Sequence, residues 1–207
     1  MHLPIEWEDK FCVNVANHLK DNNVSNYIDI GAHIGQAIYY FSKKHNINFQ
    51  QILAFEPDLD NFHELVKNTE GLPIKCQNVG IFYGLSECQA CGAGDNSRAG
   101  YFLENLDYLP NQVIKYPKKI FTLSELEPFT SEYDPNNTFI KIDVEGSEYK
   151  ILECSTFIPK CRFLMLEFHN RPNTEILSFV SWYCAKHNYR IIYESLGRHF
   201  FLEKIND

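Results

Sequence analysis

The stretch Tyr27-Ile28-Asp29-Ile30-Gly31-Ala32-His33-Ile34-Gly35 sets a short apolar run against a glycine turn. Beyond the turn, Ile34, Ile38 and Phe41 recur at helical spacing up to Lys43-Lys44, and paired cations suit a helix C-terminus. Strand, glycine turn and helix in that order open a crossover unit of a parallel sheet. The same alternation continues outward. Gln51–Glu56 reads as a second strand, Pro57-Asp58 opens a helix carrying Leu59, Phe62 and Val66 on one stripe, and Ile74–Val79 reads as a third strand. Thr138–Asp143 is a further strand, followed by a helix from about Ser147 to Cys154, the strand Arg162–Glu167 and a helix over Asn173–His187. Tyr189–Glu194 and His199–Lys204 flank a Gly197 turn, which predicts an antiparallel hairpin. The fold class is therefore α/β: a mostly parallel, Rossmann-like sheet of seven strands with one C-terminal antiparallel strand.

Two segments stand outside this rhythm. Residues 1–22 read as an N-terminal helical segment. Residues 80–121 carry Gly84, Gly92, Gly94 and Gly100, with alternation around Ala99-Gly100-Tyr101-Phe102-Leu103, and predict a hairpin insertion between strands 3 and 4 that faces the acceptor. Tyr101, Phe102 and Tyr108 are its aromatic candidates for an acceptor wall, although an apolar stripe beneath a hairpin accounts for them better.

Bulk properties limit the function classes. A chain of 207 residues with 44% hydrophobic and 22% charged residues suits one globular domain over 1–207. No stretch approaches the roughly 20 apolar residues of a membrane span, and no basic leader precedes an apolar core, so a soluble, cytoplasmic protein is expected. Seven scattered cysteines fit reduced thiols better than a disulfide framework. Cys88 and Cys91 have C-x-x-C spacing, but no second pair or matched histidine follows at zinc-site intervals. The net charge of -8 counts against a general nucleic-acid binder, whose phosphate contacts need clustered Lys and Arg, and tolerates a cationic small ligand.

The turn itself selects among adenosine cofactors. Gly31 and Gly35 let the backbone turn tightly beyond a strand end, where doubly wound sheets bind ligands. Glu56 ends the second strand 25 positions after Gly31 and can accept hydrogen bonds from ribose hydroxyls. His33 occupies the position where a dinucleotide fingerprint has its second glycine, and no G-K-[ST] follows to cradle a triphosphate. Asp29 would repel a phosphate and favour a ligand's ammonium group, unless it serves only to organise the turn. S-Adenosylmethionine fits this pattern better than NAD.

Lys141-Ile142-Asp143-Val144-Glu145-Gly146 ends the strand expected beside the first across the switch point. Strand alternation puts Lys141 and Asp143 on one face, and Glu167 and His169 share a face on the next strand. Such a group of ionisable side chains serves either acid–base chemistry or a paired network that anchors strand ends.

Taken together, Tyr27–Gly35, Ala54-Phe55-Glu56-Pro57, Phe121-Thr122-Leu123, Lys141-Ile142-Asp143-Val144-Glu145-Gly146-Ser147-Glu148 and Leu166-Glu167 resemble, in order, the motifs of the FkbM family of methyltransferases. The resemblance implies a class I methyltransferase fold, S-adenosylmethionine as donor, and an oxygen acceptor on a sugar or small natural product. It implies a cofactor wall of Asp29, Gly31, Ala32, His33, Gly35, Glu56, Pro57, Asn78, Val79 and Asp143. His33 stands where the family often has Asn, and residues 80–121 do not align. For catalysis Asp143 is the first candidate for general base and His169 the second, with Lys141 tuning or pairing Asp143. A metal-free site is the expectation, the alternative being a divalent ion held by Asp143, Glu167 and His169. A non-catalytic adenosine-cofactor-binding protein and a nicotinamide-dependent oxidoreductase are the competing classes.

Overall fold

The computed structural model describes residues 10–92, 101–103, 119–169 and 174–205, with the side chains of 89–92 and 101–103 outside the description. The elements are α1 (Lys10–Asp21), β1 (Asn26–Ile30), α2 (Gln36–Tyr39), β2 (Gln51–Phe55), α3 (Leu59–Asn68) and β3 (Ile74–Gln77). Next come β4 (Gly80–Ile81), β5 (Glu87–Gly92), β6 (Tyr101–Leu103) and β7 (Lys119–Ser124). The chain continues with β8 (Thr138–Ile142), α4 (Glu148–Cys154), β9 (Phe163–Glu167), α5 (Ile176–His187), β10 (Tyr189–Ser195) and β11 (His199–Lys204).

The main sheet has seven strands in the order β10-β11-β9-β8-β1-β2-β3. β1 runs parallel to both β2 and β8, and β11 is antiparallel to β9 and β10, so β11 is the reversed strand. Because the chain leaves β1 toward β2 and β3 and later returns on the other side through β8, the strand order reverses at β1 and β8. A crevice opens beyond their carboxyl ends.

Both β1 and β8 are buried along their whole length, as expected of central parallel strands covered on two faces. Alternation sends Ile28, Ile30, Ile140 and Ile142 into a core with Ile151 of α4 and Val180 and Tyr183 of α5. Tyr27, Phe139, Phe163 and Phe201 go to the other face, against Val15 and Leu19 of α1. There the Tyr27 and Phe139 rings stack with centroids 4.9 Å apart. Truncating a ring at this depth, as in Phe139→Ala, costs about 3–5 kcal/mol.

Several boundaries move for physical reasons. Gly35 is left-handed (φ 87°), so Ile34 belongs to the turn and α2 starts at Gln36, closing in a π-helical turn over Tyr40–Lys44. Asp58 is the N-cap of α3, its side chain accepting from Asp60 N (3.0 Å) and Asn61 N (3.1 Å). The third strand stops at Gln77, and Asn78 Nδ2 instead bonds the carbonyls of Glu56 (2.9 Å) and Pro57 (3.1 Å). α5 begins at Ile176, while Asn173 lies outside the described residues. In the segment expected to be a simple hairpin, β5 and β6 do pair antiparallel, but as part of a four-stranded sheet in the order β4-β7-β5-β6. Cys88, Phe121 and Leu123 give that sheet a buried cluster, which a two-stranded hairpin lacks. Tyr108 and the side chains of Tyr101 and Phe102 lie outside the description. Among the described residues, no helix is long and apolar enough to cross a membrane.

Candidate active site

One side of the crevice is built mainly from backbone. Gly31 N and Ala32 N both bond Phe55 O, at 3.1 and 2.9 Å, which folds the turn back over the end of β2. Gly31 has φ 84°, and a Cβ there would lie 1.8 Å from the carbonyl oxygen of Asp143. Only glycine lets the exit of β8 pass so close. Gly35 has the same need on a smaller scale, since its Cβ would stand 3.0 Å from Leu65 Cδ1 and 3.1 Å from Thr69 Cγ2 of the neighbouring helix.

His33 is left-handed as well, with φ 51°. Asn and His are among the few residues with side chains that enter this region readily, so either residue type would hold this bend. The bend aims His33 N at Glu56 Oε2 (2.8 Å), while Asp58 N bonds Glu56 Oε1 (2.9 Å). Glu56 is 6% exposed. Burial pushes its carboxyl up to about 7, against the pull of the Asp58 and His33 hydrogen bonds. The Asn61 side chain also bonds this carboxylate, and of its roughly four acceptor sites at least one stays open to a hydroxyl.

Behind the turn, Lys141 joins the two central strands. Its Nζ lies 3.3 Å from Asp29 Oδ1, 3.2 Å from Gly31 O and 3.4 Å from Asp143 Oδ2, and Tyr27 OH bonds Asp29 Oδ2 at 2.9 Å. Burial penalises the Lys141 ammonium, but the Asp29 and Asp143 carboxylates more than offset this and hold its pKa above the ordinary lysine value. Asp29 is fully buried by these partners and is not among the residues that line the crevice.

The end of β8 carries a second cluster. Glu145 is left-handed (φ 53°), Gly146 follows at φ 107°, and the reversal brings Glu145 back toward β9. Glu148, fully buried in the first turn of α4, accepts from Val144 N (3.3 Å) and Gly146 N (3.0 Å). His169 lies between the two acids, Nδ1 at 2.8 Å from Glu148 Oε1 and Nε2 at 3.2 Å from Glu145 Oε2. Although burial opposes its charge, the Glu148 hydrogen bond and the surrounding carboxylates push its pKa up to about 9. Burial likewise raises Glu145 to about 7. Glu167 also lines the crevice and faces His199 Nε2 (3.2 Å) and Arg198 Nη2 (3.6 Å).

The crevice between these parts has a volume of about 560 Å³. Of the residues chosen from sequence, Gly31, Ala32, His33, Glu56, Pro57, Lys141 and Asp143 line it. Asp29, Gly35, Asn78, Val79 and His169 stand behind it and support it. Gly80, Ile81 and Phe121, in the segment expected to face the acceptor, and Leu123, in the Phe121-Thr122-Leu123 motif, line it too; Phe11 and Cys12 of α1, Asn61 of α3, and Arg198 and His199 of the last hairpin were not singled out from sequence. Their convergence depends on tertiary packing, and only Asn61, three residues after the Asp58 cap, could be inferred from local spacing.

The model of the methyltransferase FkbM domain matches residues 29–191, from the buried aspartate of β1 into β10. The chain belongs to the FkbM methyltransferase family. S-Adenosylmethionine is the cofactor that goes with this family, and a turn without pyrophosphate glycines beside a buried acid at the end of β2 fits it. Hexuronic acid methyltransferase AglP of Haloferax volcanii is 30% identical over 146 residues, covering 68% of this chain and 54% of that protein. This chain thus spans about half the length of that curated relative. Among solved structures, methyltransferase FkbM from Methylobacillus flagellatus is similar with a TM-score of 0.57 and 16% identity, over 87% of this chain and 44% of that one. The M1A22 tRNA methyltransferase TrmK of B. subtilis is similar with a TM-score of 0.50 and 16% identity, over 95% of this chain and 66% of that one. At such identities the likeness shows the class I methyltransferase fold.

Proposed function

We propose that this chain transfers a methyl group from S-adenosylmethionine to a hydroxyl oxygen of a carbohydrate acceptor. The observation that carries the reading is Asp143, a carboxylate at the end of β8 that lines the crevice while Lys141 lies 3.4 Å behind it. The hexuronic acid activity named for the Haloferax volcanii relative supports the sugar class. When bound, the cofactor supplies a methyl group already activated for displacement by its sulfonium. The protein's own work is to hold donor and acceptor in line and to manage one proton. Glu56 accepts the ribose hydroxyls, and the Gly31 turn keeps the wall beside Asp143 free of side chain. Asp143 would take the proton from the acceptor hydroxyl as the hydroxyl oxygen bonds to the methyl carbon and the carbon–sulfur bond breaks, its electron pair leaving on the thioether sulfur of S-adenosylhomocysteine, and Lys141 would pair the carboxylate before that transfer. His169 is the weaker candidate for base, since both ring nitrogens are held by Glu145 and Glu148 and it stands behind the cavity. The insertion, through Phe121 and Leu123, and the last hairpin, through Arg198 and His199, close the acceptor end.

The direct test incubates the full chain with methyl-labelled cofactor and a panel of uronic acid glycosides and neutral sugars. Label on a sugar oxygen, located by NMR, is the expected result; transfer only to nitrogen or to a nucleic acid offered in parallel overturns the reading.

A further inference from the structure

We infer that Asp143, Glu145 and His169 form a divalent-cation site at the acceptor end of the crevice, suited to a hard ion such as Mn²⁺ or Mg²⁺. This departs from the metal-free expectation and from the alternative ligand set, because Glu145 takes the place foreseen for Glu167. One ligand atom from each of the three residues lies within 4.8 Å of the others, a spread that a single ion can draw together. The set mixes two carboxylates with one imidazole, which favours oxygen-preferring ions over thiophilic ones.

A residue outside the set points the same way. Metal-bound histidines are oriented by a carboxylate or carbonyl on the ring nitrogen that does not bind the ion. Glu148 stands in that relation to His169: it is fully buried, holds Nδ1 at 2.8 Å, and leaves Nε2 facing Glu145. Glu148 is itself fixed by Val144 N and Gly146 N, so the orientation is part of the fold. Its second oxygen, Oε2, is buried without a hydrogen-bond partner among the described residues. A buried carboxylate oxygen in that state is costly, and a nearby cation offsets the cost.

Access favours the site as well. Asp143 and Glu145 line the crevice while His169 lies behind it, so an ion held by all three would keep its remaining coordination positions toward the acceptor. Binding of the ion requires nothing of the acceptor. Its role, holding the acceptor hydroxyl and making that proton easier to release to Asp143, rests on the methyl-transfer reading above.

The test is a Mn²⁺ titration of the full chain followed by electron paramagnetic resonance, with saturating S-adenosylhomocysteine. One Mn²⁺ per chain is expected, with a nitrogen hyperfine coupling from His169. Glu145→Gln and His169→Asn should each weaken Mn²⁺ binding by at least about tenfold, and Glu148→Gln by about tenfold. Glu132→Gln, a change in an exposed acid paired with Lys75 away from the cluster, should leave it unaltered. S-Adenosylhomocysteine affinity within twofold of wild type verifies that the variants fold. Absence of bound Mn²⁺ at millimolar concentration, or of nitrogen coupling in the wild-type complex, overturns the site, and the second readout needs no variant. Methyl transfer by a chain that binds no Mn²⁺ would overturn this inference and leave the proposed reaction standing. A Mn²⁺ complex that methylates no sugar would do the reverse.

Discussion

The two walls of the crevice are made by different means. The proposed donor wall, from Gly31 to Glu56, is fixed by main-chain hydrogen bonds and by glycines whose Cβ positions are already occupied. The proposed acceptor wall, from Asp143 to Glu148 with His169, is fixed by side-chain charges at two strand ends and on one helix. A backbone-built wall tolerates side-chain exchange where it faces the ligand and almost no change where strands meet. A charge-built wall is permissive in shape and sensitive to the loss of any carboxylate.

The largest expected effect tests the first half of that contrast. Gly31→Ala puts a methyl group 1.8 Å from Asp143 O at φ 84°. Left-handed strain of about 1–2 kcal/mol adds to overpacking of about 1–3 kcal/mol, so a loss of about 2–5 kcal/mol is expected in denaturant unfolding, with cofactor binding abolished. A variant with wild-type stability and affinity would show that the walls are not pressed together as described.

Next in size is Asp143→Asn, which tests the second half. It keeps the shape of the acceptor wall and removes the proton acceptor, so kcat should fall by about 100-fold or more while S-adenosylhomocysteine affinity changes less than about threefold. If affinity falls as far as kcat, Asp143 serves the donor wall and the division of labour is wrong.

The same contrast explains what could be read from the chain. The donor wall was legible because strand, glycine turn, helix and strand-end acid are consecutive, and each obeys a local rule. The sheet and its reversed last strand followed from the same patterns. Asp29 was legible as a special position but not in its role, since its burial depends on Lys141, more than a hundred residues away. Glu145 and Glu148 went unassigned because strand alternation ends at Asp143. The left-handed step at Glu145 that turns its side chain toward His169 has no period to betray it. Phe11, Cys12 and Arg198 reach the crevice only after the sheet has assembled.

A smaller effect separates charge from shape within the donor wall. Burial raises the Glu56 carboxyl to about 7, so between its unfolded value near 4.5 and 7 the folded chain holds a proton that the unfolded chain has released. Stability from this group therefore falls as pH rises through that window. Cofactor affinity moves the other way, because ribose hydroxyls donate to the ionised form: it should rise toward pH 7 and level off above. Asp58 beside Glu56 carries like charge, balanced by Lys119, and adds to the shift without changing its sign. Glu56→Gln should bind S-adenosylhomocysteine about tenfold more weakly at pH 8, a loss of about 1.4 kcal/mol. Calorimetry from about pH 5.5 to 8.5 should show a sloping wild type and a flat variant; a flat wild type would remove Glu56 from the cofactor contact.

The smallest effect asks whether the walls are coupled. Lys119 on β7 reaches from the small sheet to Asp58 Oδ2 at 2.5 Å and Asp60 Oδ2 at 3.1 Å. Asp58 is fully buried, caps α3 through the amides of Asp60 and Asn61, and presents its own N–H to Glu56 Oε1. One lysine thus ties the sheet at the acceptor end to the residue that positions the ribose acid. Lys119 is about a third exposed, so solvent screens the pair and its worth is about 1 kcal/mol. Lys119→Met should lower the melting temperature by about 2–4 °C and weaken S-adenosylhomocysteine by about threefold to fivefold. The two changes should appear together, because both pass through Asp58. If the melting temperature falls and the affinity does not, the small sheet rests on the donor wall without steering it, and the two halves of the site are independent.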